Sequence, residues 1–326
     1  MILKRNSSFE LLRIILIIMI LVEHGNMWFI GGGYVFQSEH LAKCIIESIC
    51  IGSVNAFVLI SGWFGIHTGL KKIENLVFLL MFCTVPLLIV AILSGWLPYT
   101  ALASIDGVYQ YVFGGNAYWF VVDYIGLLIV SPVLNKGVTS LDKNQLRNLL
   151  WAAFVLIVIY DFVFRVQVLG SEGGYSVLWF GFLYLLARYI RRYECRVLDK
   201  YCWQILITAV LVQSALFYYG LIGMRYTNPL ILIESVCLIF IFKKWEFNSY
   251  TINYAATGCL MAYMLHMQPI LVPDIRRFLL AEYVAHGYWL YMVEILGLSI
   301  GVFLISVFIN KVQSALYQGI VKCLSR

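Results

Sequence analysis

Arg13 and His24 stand eleven residues apart in an apolar run from Phe9 to Ile30. At 100° per residue that is three turns plus about 20°, so both side chains leave one helix face, roughly 16 Å apart along the axis. A guanidinium can neutralise phosphate, and an imidazole has the unperturbed pKa for proton transfer near neutral pH. His266, in the stretch Tyr263-Met264-Leu265-His266-Met267-Gln268-Pro269, is a second imidazole inside an apolar segment. Two readings fit these residues. Either Arg13 snorkels to headgroups while the histidines are satisfied by water or a neighbouring helix, or all three face a shared cavity.

Six carboxylates also lie in apolar runs: Glu23 beside His24, and Glu47, Asp123, Asp161, Glu234 and Glu294 in others. Each can serve as a structural partner for Arg165, Arg225 or a hydroxyl. Together with Asn55, Trp28, Trp119 and Trp179 they can instead line a site for a hydroxyl-rich ligand such as a sugar. Lys71 and Lys72 are either ordinary loop cations or a phosphate clamp near Arg13. The eight cysteines show no metal-ligand spacing, and no metal is expected.

The elements that must carry these groups follow from composition. Of 326 residues, 62% are hydrophobic and 12% charged, with mean hydropathy +0.87. A soluble protein of this size carries about a quarter charged residues, so a soluble enzyme, a disordered chain and a nucleic-acid-binding domain are all disfavoured. The expected fold class is all-α: one polytopic membrane domain over 1–326. Ten apolar segments are expected to span, at 9–30, 43–65, 75–97, 117–135, 148–165, 175–190, 203–222, 229–242, 252–273 and 288–310. Breakers such as Gly31-Gly32-Gly33, Pro98 and Pro229 fall between them. The first run is too long and too polar for a cleaved signal peptide and is expected to be retained. With the N-terminus inside, seventeen Lys and Arg fall on the cytoplasmic side and five outside, which predicts N-in, C-in topology. The six carboxylates, His24 and His266 then share the outer half, as for a wet cavity open outward.

Four stretches resemble the integral-membrane acyltransferases of acyltransferase family 3. Ser8-Phe9-Glu10-Leu11-Leu12-Arg13, with His24 after ten intervening residues, is similar to the family's first helix. Val54 to Phe64, with Phe57 and Ser61-Gly62, resembles its second-helix signature. Trp119-Phe120 leading to Ser131-Pro132-Val133-Leu134 resembles its fourth helix, and Tyr263, His266 and Pro269 its late segment. Asn228-Pro229 through Lys243-Lys244 resembles the branch acting on bacterial surface polysaccharides.

The resemblance implies a membrane O-acetyltransferase of the bacterial inner membrane. It would move an acetyl group from cytoplasmic acetyl-CoA to a hydroxyl of a cell-surface polysaccharide or lipid-linked glycan on the outer side. His24 and Arg13 match the family's essential histidine and arginine. The family's Arg-x-x-Arg after the second helix is replaced here by Lys71-Lys72, which would bind phosphate as point charges rather than forks. Expected partners are acyl-CoA, the glycan acceptor and membrane lipids, without nucleic acid. Glu23, Asn55, Trp119, Asp123, His266 and Glu294 are the expected acceptor-binding residues. A transporter or flippase of a sugar-linked or anionic substrate is the alternative reading, since it too needs intramembrane His, Arg and acids.

Overall fold

The computed structural model describes residues 6–30, 39–67, 70–166 and 170–324, and no strand occurs among them. The Gly31-Gly32-Gly33 break lies outside the described residues. The helices are α1 (Ser7–Glu23), α2 (His40–Cys50), α3 (Ser53–Phe64), α4 (Leu70–Leu93), α5 (Ile105–Val112), α6 (Trp119–Ser140) and α7 (Lys143–Ala153). They continue as α8 (Tyr160–Phe164), α9 (Val177–Tyr193), α10 (Arg196–Tyr218), α11 (Pro229–Phe242), α12 (Tyr250–Ala255), α13 (Cys259–His266) and α14 (Val272–Leu324).

Among the described residues six helical stretches are long and apolar enough to cross a bilayer: His40–Phe64, Lys71–Leu93, Gly115–Ser140, Lys143–Phe164, Arg196–Tyr218 and Val272–Cys323. They coincide with six of the ten expected segments. The other four fall on helices that are short or broken: α1, α9, α11, and the α12–α13 pair interrupted at Ala256–Gly258. These four contribute heavily to the packed centre, where neighbouring helices rather than lipid meet the backbone's surroundings. Large apolar side chains such as Leu93, Leu304 and Phe308 face outward, at 82%, 61% and 71% exposure. That surface suits hydrocarbon and would aggregate in water.

Helix α1 runs through the middle, packed against α2, α3, α13 and α14. Its start is tied down by Ser7, whose N–H donates to Phe247 O at 2.9 Å and whose Oγ accepts from Ser249 N at 2.8 Å. Asn6 caps it, accepting from Ser8 N at 3.0 Å. On α3, a Cβ at Gly62 would fall 2.6 Å from the backbone oxygen of Tyr184, so only glycine lets α3 and α9 approach this closely. On α6, Pro132 cannot donate to the carbonyl of Leu128; the Ser131 hydroxyl does so instead, at 2.9 Å. The Ser-Gly and Ser-Pro pairs singled out in the sequence thus each have a packing or backbone reason. Helix α14 bends at Gly287, whose φ of +71° favours glycine.

Candidate functional site

The face of α1 presenting Arg13, Ile17, Ile20 and His24 lines a cavity of about 260 Å³. The spacing is i, i+4, i+7, i+11, so the single helix face expected from the sequence exists and is open to a ligand-sized space. Aromatic side chains from four other segments close it: Phe57, Trp119, Phe120, Tyr124, Tyr226 and Tyr263. Trp119 stacks on Tyr226 with centroids 5.7 Å apart and also meets Tyr175 at 4.4 Å.

At one end of this cavity α1 changes character. His24 begins a π turn, His24–Trp28, in which Phe29 N donates to His24 O at 2.8 Å. A π turn inserts an extra residue into the helical ladder and re-aims the side chains at its start. Gly25 allows α14 to press onto this turn, and Tyr291 on α14 donates from its hydroxyl to Gly25 O at 2.7 Å.

Here His24 Nδ1 meets His266 Nε2 at 2.9 Å. His266 is set by its own helix: its Nδ1 lies 3.0 Å from Ala262 O. A carbonyl only accepts, so His266 Nδ1 carries the proton and Nε2 is left as acceptor. His24 Nδ1 must then be the donor, and the lone pair of His24 resides on Nε2. The tautomer follows from the partners: a backbone carbonyl orients His266, which orients His24. Helix α13 is in turn fixed by Tyr118, donating to Met264 O at 2.7 Å, and by Tyr263, donating to Ala117 O at 2.7 Å.

At the other end, Arg13 Nη1 donates to both carboxylate oxygens of Glu10, at 2.9 and 3.0 Å, and so is paired with an anion. Arg13, Ser61 and Tyr124 line both this cavity and a second one of about 340 Å³, which also holds Lys72 and Asn75. Ser61 Oγ and Tyr124 Oη hydrogen-bond at 3.1 Å where the two spaces meet. The result is a polar-aromatic track along α1, from Lys72 past Arg13 to His24.

The other expected residues divide. Trp119 lines the cavity and His266 supports it. Asn55 is buried with both ends of its amide engaged: it donates to Tyr226 O at 2.8 Å and accepts from Trp179 Nε1 at 2.9 Å, so it positions Tyr226. Glu23, Asp123 and Glu294 are not among the lining residues. Glu23 and Glu234 are buried, each with one oxygen lacking a partner, and Glu47 accepts from Asn26 at 2.9 Å. Asp161 is a structural partner, accepting from Arg225 at 2.8 Å and from Thr227 at 2.5 Å. The side chain hydrogen-bonded to His24 is His266, not one of these carboxylates. Glu294 instead pairs with His286 at 2.8 Å, across the bend of α14. Glu282, His286 and Glu294 have ligand atoms within 4.8 Å of one another, close enough to hold a cation, and the contacts of both carboxylates with His286 Nδ1, at 3.2 and 2.8 Å, also account for the grouping. Lys72 Nζ donates to His67 O at 2.7 Å, and Lys71 is exposed.

Sequence reasoning missed Tyr226 and Thr257 as lining residues and gave Ser61 and Tyr124 no role of their own. Ser61 carried a signal, standing next to a glycine in an otherwise unbroken apolar run. Tyr226 carried none, because it lies in a connection whose path only the folded chain defines. No family model, no curated protein and no solved structure matches this chain.

Proposed function

We propose that the chain is a membrane O-acyltransferase, moving an acetyl group from acetyl-CoA to a hydroxyl of a surface polysaccharide or lipid-linked glycan. The observation that carries the reading is the His24–His266 hydrogen bond, with the lone pair left on His24 Nε2 in a cavity that also contains Arg13. A histidine held in one tautomer by a second residue is the arrangement that general-base catalysis requires.

In this reading His24 Nε2 takes the proton of the acceptor hydroxyl as its oxygen attacks the thioester carbonyl. The carbon–sulfur bond then breaks, and the leaving thiolate receives the proton back from His24. Arg13, near the donor end, offsets negative charge on the donor. The aromatic walls exclude water, which would otherwise compete with the sugar hydroxyl for the acyl group. Rings such as Trp119 also offer stacking faces to a sugar.

The reading places the protein in a bacterial inner membrane with ten spans and both termini inside. The spans are α1 with its π turn, α2–α3, α4, α6, α7–α8, α9, α10, α11, α12–α13 and the part of α14 beyond Gly287. The test is transfer of radiolabel from acetyl-CoA to purified cell-envelope glycan by the protein in nanodiscs. Label on glycan, absent from empty discs, supports the assignment; no consumption of acetyl-CoA by folded protein, with several glycans offered, refutes it.

A further inference from the structure

The C-terminal end of α9 carries Arg188, Arg191 and Arg192, at i, i+3 and i+4, on one side of the helix, the last two in its final turn. Together with Phe64 and Val138 they line a cavity of about 360 Å³, within the size range of ligand sites. Two of the three guanidiniums are held in place by backbone carbonyls at the ends of other elements. Arg191 Nη1 donates to Trp63 O, and Arg192 Nη1 donates to Val138 O at 2.8 Å. Arg188 sits against Gly65, where φ is +79° and a Cβ would fall 2.9 Å from its Nη1; its buried Nε has no partner.

Three guanidiniums gathered at one cavity would ordinarily call for a counter-charge. Arg13 has Glu10, Arg225 has Asp161, Lys243 has Asp199 and Arg277 has Asp274. Among the described residues no carboxylate pairs with Arg188, Arg191 or Arg192. Three such groups within one turn repel each other, and a ligand bearing several negative charges relieves that repulsion. Guanidinium forks match phosphate oxygens in pairs, which a lysine cannot do. Phe64 also lines the cavity that contains Arg13 and Lys72, so the arginine cavity adjoins the track leading to His24.

We propose that Arg188, Arg191 and Arg192 seat the phosphate-rich nucleotide end of the acyl donor, in the place first assigned to Lys71 and Lys72. The inference rests on the acyl-transfer reading. It assigns the donor's phosphates to α9, with the rest of the donor passing Phe64 toward Arg13.

The test is equilibrium binding of radiolabelled coenzyme A to the full chain in phosphatidylcholine nanodiscs. Arg188→Gln is the first variant, because its Nε has no bond to lose; Arg191→Gln is the second, and melting temperature checks that each is folded. The expected result is about tenfold weaker binding for either variant, partial recovery with Arg188→Lys, and wild-type binding for Lys200→Gln, a cation outside the cavity. Inorganic pyrophosphate should displace coenzyme A, and phosphatidylglycerol in the disc should not. Unchanged affinity in folded Arg188→Gln and Arg191→Gln would overturn the seat while leaving acyl transfer intact. Loss of coenzyme A binding on adding phosphatidylglycerol would overturn it in favour of a lipid headgroup. Binding of pyrophosphate at the arginines without any binding of coenzyme A would refute the acyl-transfer reading, and the donor assignment with it.

Discussion

His24 Nδ1 and His266 Nε2 lie 2.9 Å apart although 242 residues separate them in the chain. The pair exists because α1 ends in a π turn and α13 ends at His266, and because the two ends are pinned by Tyr291 and Tyr118 respectively. Replacing His266 therefore tests orientation rather than chemistry. His266→Ala should lower transfer about tenfold, the equivalent of one lost hydrogen bond. His266→Gln should retain more activity, because an amide oxygen can still accept from His24 Nδ1–H. Initial rates of label transfer compare the two; equal loss in both would argue against an accepting role.

Asn55 separates a positioning role from a binding one. Asn55→Ala leaves the Trp179 Nε1 donor and the Tyr226 carbonyl without partners in a buried site. Each orphan costs about 1–3 kcal/mol, so the variant should melt clearly earlier than wild type. A side chain that merely touched substrate would change the KM for the glycan and leave the melting temperature alone.

Gly62→Ala drives a methyl group to within 2.6 Å of the Tyr184 backbone oxygen and 2.8 Å of Ala187 Cβ. Backbone cannot swing aside as a side chain can, so α3 and α9 must separate, at about 1–3 kcal/mol. Ser61→Ala, one residue away, removes a hydroxyl that faces the cavities and should leave stability near wild type while reducing transfer. Thermal unfolding in detergent distinguishes them; similar melting temperatures for both would contradict the close approach.

Asp161 holds Arg225 and Thr227 together beside a cavity of about 440 Å³. The Arg225 side chain is 42% exposed, so water can take over part of its charge when the partner is lost. Asp161→Asn should therefore cost only about 1–2 kcal/mol, and Arg225→Gln more, because it strands the buried carboxylate. Melting temperatures in that order support the account; the reverse order would contradict it.

The ten-span topology is testable by side-specific labelling of single cysteines in a background with all eight native cysteines replaced. Lys136→Cys and Arg196→Cys should react from one side of the membrane and Glu172→Cys from the other. Reaction of all three from the same side would remove at least one span.

Helix content and the face joining Arg13 to His24 were legible in the sequence because both depend on local periodicity alone. Four of the expected segments were harder to delimit: α1, α9, α11 and α12–α13 are short or broken where other helices pack around them. Pairing was not legible. Nothing within residues 9–30 indicates that His24 meets His266 rather than Asp123 or Glu294, since that depends on which helix ends coincide. The α9 arginines entered the sequence reading only in the count of cytoplasmic cations, because that no carboxylate among the described residues pairs with them becomes visible only once the neighbouring elements are in place.

The most direct test of the account is label transfer from acetyl-CoA to envelope glycan by His24→Ala, measured beside wild type at matched amounts of folded protein. Loss of a general base predicts a fall of about 10²–10⁴-fold, with the protein still folded in the nanodisc. Transfer by His24→Ala at the wild-type rate would contradict the assignment of His24 as the base.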